Sequence, residues 1–215
     1  MITRDGYSII FYTGLLLVVL LIAAFWWQIT FLWVIASVVA VIFVFHFFFF
    51  RDPERNIPAG ERLILSPADG FVIKVDEVQD DLYFKRKVKR VAVFMTVFDV
   101  HVNRVPVSGK VEWVRYSKGK FKAAFEDEAA LKNEQNAIVI RNDHGPVLFI
   151  QIAGLIARRI VSHLKEGDRV QAGQRFGMIK YSSRVDVFFP ENVEIKVALK
   201  QKVKAGETVL GEFKT

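Results

Sequence analysis

The chain has no cysteine among its 215 residues. That absence excludes a disulfide scaffold, a thiolate nucleophile and any cysteine-ligated metal or iron–sulfur site. Histidine is scarce as well. Four stand at 46, 101, 144 and 163, with no His-Glu-x-x-His and no pair spaced four apart, which argues against a zinc hydrolase. Charge is missing from one whole region: the first 50 residues hold only Arg4 and Asp5. All but one of the 30 bases and all but one of the 23 acids therefore fall in 51–215, and so does the net charge of +7. Two parts follow. Residues 1–50 form an apolar anchor, and residues 51–215 a basic, water-soluble domain large enough to bury a core.

Residues 7–50 are almost continuously apolar, about twice what one span needs at roughly 20 residues. The break at Gln28-Ile29-Thr30 divides the run into two helices, about 7–27 and 31–50, with Trp26, Trp27 and Trp33 gathered where a headgroup layer would lie. Arg4 precedes the first span, and Arg51, Arg55 and Arg62 follow the second. The connection carries no charge, so the positive-inside bias sets both termini on the cytoplasmic side of the cell membrane. A cleaved signal peptide is the competing reading, but no small-residue cleavage site ends the first apolar run. His46, at the Phe-rich end of span two, reads as an interface side chain rather than a catalyst.

After Arg51-Asp52-Pro53, where proline stops the second helix, the pattern is mostly β. Short β-branched or aromatic runs occur at Phe71–Val75, Val91–Val97, Val111–Tyr116, Ala137–Ile140, Val147–Ile152, Val185–Phe189 and Val193–Leu199, punctuated by turn residues. One helical patch is expected at Ala124–Asn133. The fold class is a mainly β (α+β), barrel-sandwich-like soluble domain preceded by a transmembrane helical hairpin. Weak internal repeats support it. Pro67-Ala68-Asp69-Gly70-Phe71-Val72 parallels Pro106-Val107-Ser108-Gly109-Lys110-Val111, and Val170-Gln171-Ala172-Gly173 parallels Val203-Lys204-Ala205-Gly206. The same turn grammar occurs in lipoyl and biotinyl carriers, which makes a membrane-tethered carrier or scaffold the alternative from a different class. A carrier needs its lysine in a signature such as Met-Lys-Met at a hairpin tip; the nearest candidate here is Lys180.

Three segments hold polar residues that strands and turns leave unexplained: Leu65–Gly70, Phe94–Pro106 and Phe176–Phe188. Singly, each has a bland reading, since Asp69-Gly70 makes a turn, His101 fits a half-buried strand and Ser182-Ser183 fits a polar link. Together they supply an acid, a base and a hydroxyl, the set needed to activate a serine.

In their order and spacing these segments resemble the phosphatidylserine decarboxylase proenzymes of the short bacterial and archaeal type. Arg51-Asp52-Pro53, Gly119-Lys120-Phe121, Asn133-Glu134-Gln135-Asn136 and Ile152–Ile160 extend the resemblance over most of 51–215. It implies a self-processing enzyme with no metal and no external cofactor, which cuts its own chain before a serine and converts that serine into a pyruvoyl group. Ser183 is the implied precursor, His101 the base and Asp69 its orienting partner, with the cut between Ser182 and Ser183. The products are chains 1–182 and 183–215, held as a heterodimer; assembly beyond that is left open. The mature ketone would form a Schiff base with the serine headgroup of phosphatidylserine in the bilayer and release phosphatidylethanolamine and CO2. An archaeal ether lipid, in an archaetidylserine decarboxylase, would react in the same way.

Two positions depart from the family pattern. Ser182 stands where the family has glycine before the cut, and Arg104 stands where longer members have a second histidine. Arginine is no general acid near neutral pH, so Arg104 is expected to bind the substrate's phosphate or carboxylate. Lys85-Arg86-Lys87-Val88-Lys89-Arg90 would read as a nucleic-acid patch in a soluble protein. Behind a membrane anchor it reads instead as an anionic-headgroup contact or a solvated hairpin, with no nucleic-acid partner. Lys118, Lys120, Phe121, Lys122 and Phe125 mix bases with aromatics, as a lipid-facing loop does, and Lys120 and Phe121 are candidate substrate contacts.

Glycine at 182 would remove the Cβ beside the carbonyl to be attacked and widen its allowed backbone region. Ser182→Gly is therefore expected to speed maturation without moving the cut, roughly tenfold for a barrier about 1.4 kcal/mol lower. Gels following precursor loss, with the small fragment's mass read in parallel, check this; slower processing, or a cut before residue 182, would contradict it.

Overall fold

The computed structural model describes residues 1–119, 133–154, 159–181 and 183–214. The chain divides into two compact units, Met1–Pro53 and Glu54–Thr215.

In the first unit, helices α1 (Tyr7–Trp27) and α2 (Thr30–Phe49) form a hairpin turned at Gln28, which adopts left-handed φ of 49°. The expected break is thus found at Gln28-Ile29. Each helix is about 30 Å long at 1.5 Å per residue, long and apolar enough to cross a membrane. Their packing relies on small residues facing aromatics: Gly6 lies against Phe50 and Gly14 against Phe43. Thr13 Oγ1 sits 3.2 Å from His46 Nδ1, so His46 is a helix–helix contact. The two ends are tied by Thr3 N–H to the Phe50 carbonyl (2.9 Å) and Asp52 N–H to that of Met1 (2.7 Å). Phe11, Val18, Ile22, Phe25, Trp26 and Val41 are among the many exposed apolar side chains, a surface suited to lipid rather than water.

The second unit is β throughout its described residues. Its strands are β1 (Leu63–Leu65), β2 (Gly70–Asp80), β3 (Arg86–Met95), β4 (Val102–Arg104), β5 (Gly109–Ser117), β6 (Gln135–Asn142) and β7 (Gly145–Ala153). They continue with β8 (Arg159–Ser162), β9 (Arg169–Val170), β10 (Arg175–Lys180), β11 (Ser183–Phe189), β12 (Val193–Ile195), β13 (Lys202–Val203) and β14 (Val209–Phe213). Eight form one curled antiparallel sheet in the order β13-β2-β3-β11-β7-β6-β5-β9. Two three-stranded sheets, β1-β14-β12 and β4-β10-β8, complete the half-barrel. The expected mainly β fold behind an apolar helical hairpin is therefore present.

The inner face of the large sheet carries Val91, Val93, Met95, Phe149, Val185 and Val187, and packs with Ile64, Phe176, Ile179, Leu210 and Phe213 from the small sheets. The outer face holds a second cluster, Val139, Leu148, Ile150, Ile152 and Phe188, covered by Leu82, Tyr83, Phe84 and Trp113. Alternation along each strand assigns the two sets to opposite faces.

The repeats seen in sequence are structural. The large sheet is edged in the same way on both sides, with Gly70 of β2 paired to Val203 of β13 at one edge and Gly109 of β5 to Val170 of β9 at the other. Leu65 N–H donates to the Pro106 carbonyl (2.8 Å) while Arg104 N–H donates to that of Pro67 (2.9 Å). Gly206 N–H donates to Ser66 and Gly173 N–H to Val105, both at 2.8 Å. Each turn thus closes on its counterpart's strand, so neither repeat is satisfied alone.

Several sequence boundaries shift. Strands β2 and β3 form a longer hairpin than expected, because Asp80 accepts from the N–H groups of Leu82, Tyr83 and Phe84 and folds the apolar tip onto the outer cluster. Val193–Leu199 is strand only to Ile195. Ala198–Gln201 turns instead, with Lys200 at φ 68°, a left-handed residue no glycine announced. Strands β1, β4, β8, β10 and β14 are short, three to six residues each, and were not singled out in sequence. The helix expected at Ala124–Asn133 lies outside the described residues except for Asn133.

Gly70, with φ 145°, needs its missing side chain: a Cβ there would stand 2.0 Å from the Phe94 carbonyl oxygen. Gly70→Ala is expected to cost about 2 kcal/mol or more and to lower Tm by about 4 °C or more. Gly167→Ala, where nothing lies within 4 Å, should show only the cost of its positive φ, about 1 kcal/mol. Thermal unfolding of the full chain compares them, and equal losses would contradict the steric account.

Candidate active site

Ser183 is the first residue of β11, which is hydrogen-bonded on both sides; Ser183 pairs with Met95 of β3 and Ala153 of β7. Strand β10 belongs to a small sheet and β11 to the large one, so the chain changes sheets across residues 181 and 182. Tyr181 makes that crossing with φ 63°. A non-glycine residue there stores about 1 kcal/mol or more. Strain next to the expected cut is thus present at Tyr181. Burial raises the Tyr181 phenol above its ordinary value, so it stays protonated at neutral pH. Ser182 lies outside the described residues.

The Ser183 side chain is fully buried on the inner face, with Oγ donating to Met95 Sδ at 3.9 Å. Asn103 Nδ2 reaches the same sulfur at 3.8 Å and the Pro67 carbonyl at 3.3 Å. Behind it, Gln151 Nε2 donates to Asn103 Oδ1, and Asn136 Nδ2 to Gln151 Oε1, both at 2.9 Å. This chain of buried amides was not picked out in sequence. Asn103 and Asn136 fall within segments already noted in sequence, and Gln151 is a lone polar residue on the inward phase of the apolar run Val147–Ala153.

His101 is fully buried between the Thr96–Asp99 turn and β4. Asp99 holds that turn by accepting from Thr96 N–H (2.9 Å) and Thr96 Oγ1 (2.7 Å). His101 Nδ1 lies 3.0 Å from the Asp99 carbonyl oxygen. A carbonyl only accepts, so Nδ1 carries the ring proton and, in neutral imidazole, Nε2 carries the basic lone pair.

Asp69 is engaged differently from the sequence expectation. Its carboxylate accepts from Arg55 Nη2 at 2.9 and 2.8 Å and from Ala205 N–H at 2.8 Å. In the other repeat Ser108 Oγ accepts from Ala172 N–H at 2.9 Å, the same bond at the matching position. Asp69 therefore holds a turn, and His101 Nδ1 is held by the Asp99 carbonyl. Arg104 is also buried: Nη1 donates to the Gly173 carbonyl at 3.0 Å and its Cδ packs under Gly206. These contacts serve the repeat junction. Lys120 and Phe121 lie outside the described residues.

The basic run is not a uniform patch. Arg86 pairs with Glu191 at the surface, while Arg90 turns inward to Asp76 (2.6 Å) and Asp186 (3.6 Å). Asp186 is itself held by the fully buried Arg184 at 2.6 and 2.7 Å. Lys180, the carrier candidate, ends a strand opposite Arg159 and occupies no hairpin tip. Among the described residues, no group of three or more His, Asp or Glu is placed to hold a metal ion.

A model of the phosphatidylserine decarboxylase family matches residues 42–211. The chain belongs to that family. It is 52% identical over 171 residues to the phosphatidylserine decarboxylase proenzyme of Syntrophus aciditrophicus, covering 79% of this chain and 80% of the relative. The proenzyme of Carboxydothermus hydrogenoformans is 48% identical over 178 residues, 82% and 84% of the two chains. That of Nitrosomonas europaea is 47% identical over 183 residues, 85% and 83%.

The match between Asp69 and Ser108 carries a prediction. Asp69→Ser should keep the bond from Ala205 and remain about 1 kcal/mol more stable than Asp69→Ala, in which that N–H loses its acceptor. Denaturant melts of the two variants decide it; identical midpoints would remove the turn-holding role.

Proposed function

We propose that the chain is a self-cutting phosphatidylserine decarboxylase whose electrophile is made from Ser183. The observation that carries this is the position of Ser183, which is buried at the first residue of a central strand, directly after a strained crossing between sheets. The family membership and the relatives' naming as proenzymes support the same reading.

The chemistry of cutting uses the chain's own groups. His101 Nε2 takes the Ser183 hydroxyl proton, and Oγ bonds to the carbonyl carbon of residue 182. The C–N bond of that peptide breaks and the leaving nitrogen takes the proton back from His101 Nε2 to become a free amine, leaving an ester. Loss of the Ser183 Cα proton then expels the 182 carboxylate and leaves dehydroalanine, which tautomerises and hydrolyses to pyruvoyl and ammonia. The surroundings fit that group: a fully buried position on the inner face, with the Asn103 amide N–H on the same Met95 sulfur and no competing thiol. Once formed, the pyruvoyl ketone supplies the electrophile for the substrate amine and the sink for electrons as CO2 leaves.

After the cut, 183–215 stays in place as part of a heterodimer with 1–182, since it owns β11 between β3 and β7 and β14 beside β1. The helical hairpin holds the domain at the cytoplasmic face of the membrane, as Arg51, Arg55 and Arg62 after the second helix favour. Products are phosphatidylethanolamine and CO2.

Intact-mass measurement of the purified protein tests this. Two chains are expected, 1–182 and 183–215, the smaller lighter by one ammonia than a serine-started peptide. Ser183→Ala should give one uncut chain without decarboxylation, and His101→Ala mostly precursor. Full cutting by Ser183→Ala would end the proposal, and maturation of His101→Ala at the parent rate would end the role of His101.

A further inference from the structure

Two donors meet at one weak acceptor beside Ser183: its own hydroxyl and Asn103 Nδ2, both on the thioether of Met95. A thioether accepts hydrogen bonds poorly, so neither donor loses much by leaving it. When Ser183 gives up its proton, its oxygen changes from donor to acceptor in a site closed to water. The group already sharing the sulfur is a fixed N–H. We infer that Asn103 is a positioning donor for self-cutting, steadying the Ser183 oxygen as it loses its proton, and that Gln151 and Asn136 set which end of the Asn103 amide faces it. The inference rests on the proposed use of Ser183 and adds residues to that same site.

The direction of the amide chain supports this. Asn136 N–H to Gln151 oxygen, then Gln151 N–H to Asn103 oxygen, leaves only Nδ2 of Asn103 to reach the Pro67 carbonyl and the Met95 sulfur that the Ser183 hydroxyl shares. Asn103, Gln151 and Asn136 are all buried, so a reversed amide would set like against like without water to relieve it. All three are neutral. They offer hydrogen-bond donation without a buried charge that would hold the serine oxygen too tightly to attack.

The test follows cutting of the full-length precursor over time, from neutral to mildly acidic pH, by gel and intact mass. Asn103→Ala should cut about tenfold more slowly or worse, the loss expected for one transition-state hydrogen bond. Asn103→Asp keeps the shape but places a carboxylate beside an oxygen that is gaining negative charge, so it should be slower still at neutral pH. Burial raises such a carboxyl, and its protonation restores an O–H donor as pH falls. The rate of Asn103→Asp relative to the parent should therefore rise toward acid, even while the parent slows through protonation of its histidine base. A packing role predicts a ratio that stays flat with pH, and that result, or a ratio near one, overturns the inference.

Gln151→Glu provides an independent arm should Asn103→Asp fail to fold, which resistance to protease reports. Its carboxylate would attract Asn103 Nδ2 and turn Oδ1 toward Ser183, giving the same slow, acid-recovered cutting; parent-like cutting overturns the inference. Ser183→Ala is measured alongside. If it stays uncut while Asn103→Asp and Gln151→Glu behave like the parent, only the role of Asn103 fails. If Ser183→Ala cuts, the underlying reading fails with it.

Discussion

Strand β11 is hydrogen-bonded on both edges and buried on both faces, and much of the second unit is built around that condition. Its seven residues pair with β3 and with β7 at nearly every position. Its inward side chains, Val185, Val187 and Phe189, belong to the main core. A strand so held cannot easily leave, and its first residue cannot easily move. Cutting the chain just ahead of it would free one end for chemistry while the ladder keeps the rest registered. The same rigidity fixes the Ser183 hydroxyl on Met95 and leaves the backbone distortion at Tyr181, where the chain crosses between sheets.

The outer face of β11 meets a different constraint. Arg184 and Asp186 are almost wholly buried one turn of the pleat apart, and Arg90 and Asp76 extend the pair into a line of alternating charge. Taking such ions from water costs several kcal/mol each, and their mutual attraction roughly offsets it only when every partner is present. The line therefore contributes specificity of register more than net stability. A slip of one residue of β11 against β3 would part Asp186 from Arg90 and move Arg184 and Asp186 to the apolar inner face. The register that pairs Ser183 with Met95 is protected by charges on the opposite side of the sheet.

The repeats give the site its scaffold. The turn after Pro67 and the turn after Pro106 each close by bonding to the other repeat, and Asp69 and Ser108 make the same bond at matching positions. In that turn Asp69, which the resemblance makes the partner of His101, accepts from Arg55 and Ala205. Sequence showed a carboxylate near a histidine in motif order; only the folded backbone shows which donors reach it first. Arg104 follows the same pattern, since its guanidinium is used at the junction of the two repeats.

Composition and patterning alone determined the apolar hairpin with its break at Gln28-Ile29, the mainly β character of 51–215 and the internal repeats, and ordered short motifs carried the resemblance to the family. These are properties of local chemistry, carried by runs of apolar residues, turn residues at fixed offsets and short ordered motifs. Tertiary structure alone decided what those residues touch. It buried Arg90 while Arg86 stayed at the surface, it placed left-handed φ at Tyr181 and Lys200 without a glycine, and it joined Asn136, Gln151 and Asn103 in a chain that ends on the Met95 sulfur shared by Ser183. Those amides lie in three separate strands, and a hydrogen-bond chain between strands depends on register and face, which no single stretch of sequence encodes.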